Sequence, residues 1–66
     1  MKKYHFIFDK TKRSEKFKKI ISQKYKNFSL EKSNIIIVAG GDGLMLKTIK
    51  KYFRYNKPFY GINCGS

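Results

Sequence analysis

The chain has one cysteine, one proline, no tryptophan and only four acidic residues among its 66. Each shortage excludes something. A lone cysteine, Cys64, cannot close an internal disulfide. Together with His5 it makes the only pair of soft metal ligands, and the two stand too far apart in sequence to suggest a metal cluster. A strand residue and a small buried thiol are sufficient readings of these two side chains. No apolar run approaches transmembrane length. Met-Lys-Lys followed by Tyr-His-Phe-Ile-Phe is basic and then apolar. That run is too short for a signal peptide and lacks a small-residue cleavage site, so a cytoplasmic location is expected by default. Internal repeats and low-complexity stretches are absent. A chain of 66 residues is at most one small domain. It buries roughly 60% of its unfolded surface and is marginal without a staple or a partner.

Acidic residues are scarce and basic ones abundant: sixteen Lys and Arg against four Asp and Glu give a net charge of +12. Such a balance favours polyanions through counterion release. A basic nucleic-acid-binding module is therefore one alternative reading. Three features oppose it. The aromatics fall on the expected core stripes, away from the lysines. The basic residues are nearly all lysine, whereas planar, bidentate phosphate contacts favour arginine. No nucleic-acid-binding motif is present. Nucleic acid is accordingly not an expected partner, and no membrane is either.

What the chain does contain is organised around residues 35–46. Ile35-Ile36-Ile37-Val38-Ala39 is short, apolar and β-branched, which reads as a buried strand. Gly40-Gly41-Asp42-Gly43 follows, and then an apolar-periodic segment. Glycines there allow φ > 0 and let a ligand approach without a Cβ in the way. Asp42 would stand at the carboxyl end of the strand, where open α/β sheets bind ligands. The amides that open the next helix favour anions such as phosphates. A plain tight turn whose aspartate caps the helix is the structural alternative. The loop is not a P-loop, because no Gly-Lys-Ser/Thr ends it.

The remaining elements alternate. Tyr4 to Phe8 reads as a strand ended by Asp9-Lys10-Thr11. Ser14 is a candidate N-cap. Phe17, Ile20, Ile21, Tyr25 and Phe28 then fall at helical spacing, with Lys16, Lys18, Lys19, Lys24 and Lys26 on the outer face. Phe28-Ser29-Leu30 reads as a short strand or a packed loop. Met45, Leu46, Ile49, Tyr52 and Phe53 form a second stripe whose ordinary role is core packing against a sheet. Pro58 disfavours helix at Lys57, and Phe59 to Ile62 reads as the last strand. The expected fold class is α/β, a partial Rossmann-like parallel sheet in the order β-α-(β)-β-α-β with right-handed crossovers.

Gly40-Gly41-Asp42-Gly43 after a hydrophobic strand resembles the GGDG motif of NAD kinases, which diacylglycerol and sphingosine kinases share. Pro58-Phe59-Tyr60-Gly61-Ile62-Asn63-Cys64-Gly65 is similar to the segment that follows in NAD kinases: a proline, a short strand, then Gly-Ile-Asn-x-Gly. Lipid kinases usually differ there, so a lipid-kinase fragment is a lesser alternative. The match covers about residues 34–66. It implies that residues 1–66 are an incomplete N-terminal α/β subdomain, without the β-rich C-terminal domain that carries most NAD contacts. A truncated, decayed or split protein, inactive alone, is the expectation. A complementary C-terminal chain is a conceivable partner, and full-length members are expected to be homo-oligomers.

The implied chemistry is phosphoryl transfer from ATP, or polyphosphate, to the 2′-hydroxyl of the adenosine ribose of NAD. Magnesium would accompany the donor, with no metal site of the protein's own. By the resemblance Asp42 is the catalytic aspartate, accepting the hydroxyl proton. Gly40 and Gly41 belong to the binding loop. Gly43 matches a backbone contact to NAD, Leu46 an apolar pocket wall, and Lys47 a cation facing the nucleotide, although a solvated helix lysine explains Lys47 equally. Asn63 and Gly65 match the Asn-x-Gly turn, which shapes the loop or contacts ligand. One residue departs from the pattern: Leu44 stands where the family usually has threonine or another small polar residue. Leucine can neither cap the helix nor approach phosphate.

Overall fold

Three strands, β1 (Tyr4–Phe8), β2 (Ile35–Ala39) and β3 (Phe59–Ile62), pair in parallel in that order. The computed structural model describes residues 2–63. Ile36, Ile37, Val38 and Ala39 are all buried. A middle strand covered on both faces needs an unbroken apolar run rather than an alternating one, and that is what β2 carries. The register sets Phe6 beside Ile37 and Ile37 beside Tyr60 on one face; Ile36 beside Phe59 and Val38 beside Gly61 on the other.

Helix α1 (Lys12–Lys24) lies on the first of these faces. Phe17 packs against Phe8 at 6.3 Å between ring centroids, and Tyr25 meets Tyr4 edge-on at 5.9 Å. The Lys18 ammonium sits 5.9 Å from the centre of the Phe8 ring, close enough for a cation–π attraction that keeps the charge in water while its stem covers the ring. Helix α2 (Asp42–Tyr52), extended by a 3-10 turn at Phe53–Tyr55, lies on the other face. The Met45 methyl stands so close to Gly61 that a Cβ there would be 2.5 Å away.

Right-handed crossovers place two helices on opposite faces only if the chain first steps outward and then back. The segment after α1 supplies that outward step. The Phe28 amide donates to the Tyr4 carbonyl at 2.9 Å, and the Phe6 amide to the Asn27 side-chain carbonyl at 3.0 Å. This satisfies part of the outer edge of β1 without forming a strand, so of the two expectations for Phe28-Ser29-Leu30 the packed loop holds. The Lys57 ammonium clamps the following turn by donating to the carbonyls of Leu30 and Glu31.

Three expectations need correction. Thr11, not Ser14, caps α1: its hydroxyl accepts the Ser14 amide at 3.1 Å, while Ser14 itself is buried with its own hydroxyl 3.5 Å from the Ala39 carbonyl. Phe28 lies beyond α1, which closes at Tyr25 in extended conformation. The apolar stripe of α2 is rotated. Leu46, Ile49 and Phe53 are exposed (60%, 38% and 65%), while Thr48 is buried among the residues facing the sheet. The helical run does end ahead of Pro58: α2 gives way at Tyr52 to the 3-10 turn, which closes at Asn56, where the chain turns with φ of 57°.

Candidate active site

The carboxyl ends of β2 and β3 open into a small cavity of about 170 Å³, lined by Val38, Gly40, Gly41, Asp42, Met45, Gly61, Ile62 and Asn63. Backbone bonds fix its frame. The Gly40 amide donates to the Ile62 carbonyl at 2.9 Å and ties the glycine loop to the end of β3, and the Asp9 amide donates to Ala39 at 3.0 Å. Helix α2 then begins with the Met45 amide on the Gly41 carbonyl at 3.2 Å.

The glycines act through space, not through left-handed backbone. Gly41 caps the helix at φ −90°, and none of the loop glycines lies in the positive-φ region. A Cβ on Gly40 would meet Leu44 Cδ2 at 2.8 Å and Asp9 Cβ at 2.9 Å, whereas Gly41 and Gly43 face open space. Gly40 therefore permits close packing inward, while Gly41 and Gly43 leave the outer side bare. No side chain caps α2, so the first amides of the helix remain available to an anion. Asp42 is exposed in the first turn, where the positive end of the helix favours its carboxylate.

Of the residues singled out from the sequence, Gly40, Gly41, Asp42 and Asn63 come together around the cavity. Gly43 does not line it, and a Cβ added there would have nothing within 4 Å. Leu46 and Lys47 are exposed on α2 and do not line it. Gly65 lies outside the described residues. Met45, Gly61 and Ile62 line the cavity without having been expected there. A glycine inside the last strand was the available signal, since strand glycines mark close approach; its register beside Val38 puts it beneath α2.

Among the described residues no group of three or more His, Cys, Asp and Glu could hold a metal ion. No helix there is long and apolar enough to cross a membrane. The cavity is also below the ~300 Å³ at which clefts for whole drug-sized ligands begin, so the described residues alone do not enclose a whole nucleotide.

A parallel α/β sheet with a glycine loop, a helix N-terminus and a carboxylate at its carboxyl edge defines the class: a partial Rossmann-like α/β protein. The particular family comes from similarity to known proteins. The chain is 37% identical over 62 residues to an NAD kinase of Brucella suis biovar 1 (strain 1330), covering 94% of this chain and 24% of that protein. It is 36% identical over all 66 residues to an NAD kinase of Rickettsia bellii (strain OSU 85-389), covering 26% of it. It is 48% identical over 46 residues to an NAD kinase of Rickettsia africae (strain ESF-5), covering 70% of this chain and 18% of that protein. No family model and no solved structure matches. The similarity places the chain with the NAD kinases, as a segment spanning about a quarter of the length of these relatives.

Proposed function

We propose that this segment is the catalytic-aspartate wall of an NAD kinase, transferring the terminal phosphoryl group of ATP to the 2′-hydroxyl of the adenosine ribose of NAD. The observation that carries the reading is the position of Asp42: on an uncapped helix N-terminus, at the mouth of the cavity, between two glycines with no neighbours. A ribose hydroxyl can reach the carboxylate there, and phosphate oxygens can reach the amides beside it. The new bond joins O2′ to the γ-phosphorus, and the bond from that phosphorus to the β-bridging oxygen breaks. The hydroxyl proton passes to Asp42 and ADP leaves. A loose transition state of this kind needs alignment and charge neutralisation more than a strong base. Magnesium belongs to the donor, since Asp42 is the only carboxylate lining the cavity among the described residues. Polyphosphate is an alternative donor. Gly43 would bring backbone against the nucleotide, Asn63 would shape the facing loop, and Leu46 and Lys47 would meet whatever closes the cleft from the α2 side.

The test is reconstitution. The chain is combined with the part of Rickettsia bellii NAD kinase that it does not match, and NADP formation is followed with Mg-ATP. Activity should appear in the mixture and fall at least a hundredfold with Asp42→Asn, the helix content being unchanged because Asp42 is exposed. Equal turnover by the Asp42→Asn variant would remove Asp42 from catalysis.

A further inference from the structure

Helix α1 carries charge where helix physics disfavours it. Lys12 and Arg13 are its first two residues, at the end where the macrodipole is positive and cations destabilise. Lys16 and Lys19 follow Lys12 at spacings of four and three, so like charges meet along one stripe and weaken the helix again. All three lysines are exposed. Phe17 packs on Phe8 and Ile21 lines the apolar cavity, which turns that side of α1 toward the sheet. At about 100° per residue the lysine stripe then points away from it. Among the described residues no hydrogen bond, ion pair or ring contact uses these three ammoniums, and Glu15, the one acidic residue of α1, pairs with none of them. The basic residues of α2 differ: Lys50 and Lys51 stand in its last turn, where cations are favoured.

We propose that the stripe of Lys12, Lys16 and Lys19 binds the phosphate backbone of duplex DNA without reading its sequence. The proposal is independent of the kinase reading, since the stripe faces away from the sheet. Charge complementarity selects the occupant. The stripe sets three ammoniums on a straight, rigid line over about 10 Å. A duplex presents a phosphate charge every ~1.7 Å of its axis and stays straight over ~150 base pairs. Three contacts can therefore form without bending either partner.

Other polyanions fit less well. A single strand carries half the charge per unit length and is held largely by stacking on aromatic side chains, of which the stripe has none. An anionic bilayer needs an apolar face beside the cations, and Ile20 is the one exposed large apolar side chain within α1. Lysine is a point charge that attracts phosphate without a planar fork, and phosphate contacts position a protein on DNA but carry no sequence information. The scarcity of arginine, the aromatics in the core and the lack of a recognition motif oppose a sequence-reading module. Backbone binding requires none of them.

The experiment titrates the chain with a short labelled duplex of mixed sequence and follows anisotropy over a range of salt concentrations. Lys12→Gln, Lys16→Gln and Lys19→Gln together should weaken binding about tenfold or more and flatten the slope of log K against log salt by about 2.7, since each lost phosphate contact removes ~0.9. Lys50→Gln, Lys51→Gln and Arg54→Gln together remove the same charge from α2 and should leave affinity within about threefold. Glutamine matches lysine in helix propensity and the like-charge contacts disappear, so the α1 variant should keep or raise its urea midpoint; lost binding is then not lost folding. Independently of any variant, the duplex should protect Lys12, Lys16 and Lys19 from acetylation while Lys50 and Lys51 stay reactive. No binding, equal losses from the two triple variants, or protection of Lys50 and Lys51 in place of the stripe each overturns the assignment. A single strand that binds as tightly overturns the duplex, and polyglutamate that competes as well overturns the phosphate.

Discussion

Alanine at Gly40 and alanine at Gly43 should move stability in opposite directions, although the two glycines belong to one four-residue loop. At Gly40 the new methyl meets Leu44 Cδ2 at 2.8 Å and Asp9 Cβ at 2.9 Å. The leucine tip can swing away. Asp9 Cβ cannot, because the Asp9 amide is bonded to Ala39 at the end of β2. Overpacking of this kind costs about 1–3 kcal/mol, and the lower entropy of the unfolded alanine chain returns about 0.4–1 kcal/mol. At Gly43, in the first turn of α2, nothing lies within 4 Å of the new methyl, so alanine gains about 0.5–1 kcal/mol of helix propensity. The two variants should differ by roughly 1–3 kcal/mol, a large share of the ~3–10 kcal/mol available to a domain of this size. Urea titration followed by circular dichroism separates them, because with m near 1 kcal/mol/M the midpoints differ by about 1–3 M. Asp9→Ala added to Gly40→Ala should bring no rescue, since the clashing atom is Cβ. Gly43→Ala should lose NADP formation in the reconstituted protein despite its gain in stability. Equal midpoints for the two variants, or Gly43→Ala below the parent, would refute the reasoning.

Thr11→Ala should cost ~1 kcal/mol by removing the cap of α1, whereas Ser14→Thr, if Ser14 were the cap, would be tolerated; buried Ser14 should not tolerate it, and both midpoints are read by urea titration. Phe53→Lys should change stability by no more than about 0.5 kcal/mol, against the ~3–5 kcal/mol of a core phenylalanine truncated to alanine. Leu44→Thr should lower the urea midpoint by loosening the packing on Gly40, and lower the KM for ATP about two- to tenfold if the hydroxyl gains one phosphate hydrogen bond of ~0.5–1.5 kcal/mol; an unchanged KM would exclude that contact.

The strands and the glycine loop are legible in the sequence because their signals are local. Five β-branched or small apolar residues ending in two glycines can hardly be anything but a buried strand and its exit. The rotation of α2 is not legible. Helix α2 and the turn that extends it, with Leu44, Met45 and Tyr52 on one arc and Leu46, Ile49 and Phe53 on another, have two apolar faces. The polar Thr48 occupies the middle of the one that packs on the sheet. Hydropathy cannot choose between those arcs; the sheet does, by placing Gly61 where only the Met45 side fits. The step outside β1 is equally hidden, since a side-chain amide, Asn27, there substitutes for a backbone carbonyl. Thr11 and Ser14 are both good caps by type. Where β1 releases the chain at Asp9 decides between them.

The glycines divide by what surrounds them. Gly40 and Gly61 are glycine because protein atoms occupy the place of their side chains, Asp9 and Leu44 in one case and Met45 in the other. Packing alone accounts for both. Gly41 and Gly43 have no such neighbours, and Gly41 keeps a backbone angle that any residue adopts. Nothing within the described residues requires glycine at either position, and Gly43 even costs helix stability. Under the proposed function, a requirement there would come from a ligand that needs backbone within van der Waals reach on both sides of Asp42. On that proposal the functional part of the motif narrows to Gly41-Asp42-Gly43. Leu44, which follows that triplet, turns its tip inward to the place a side chain on Gly40 would occupy.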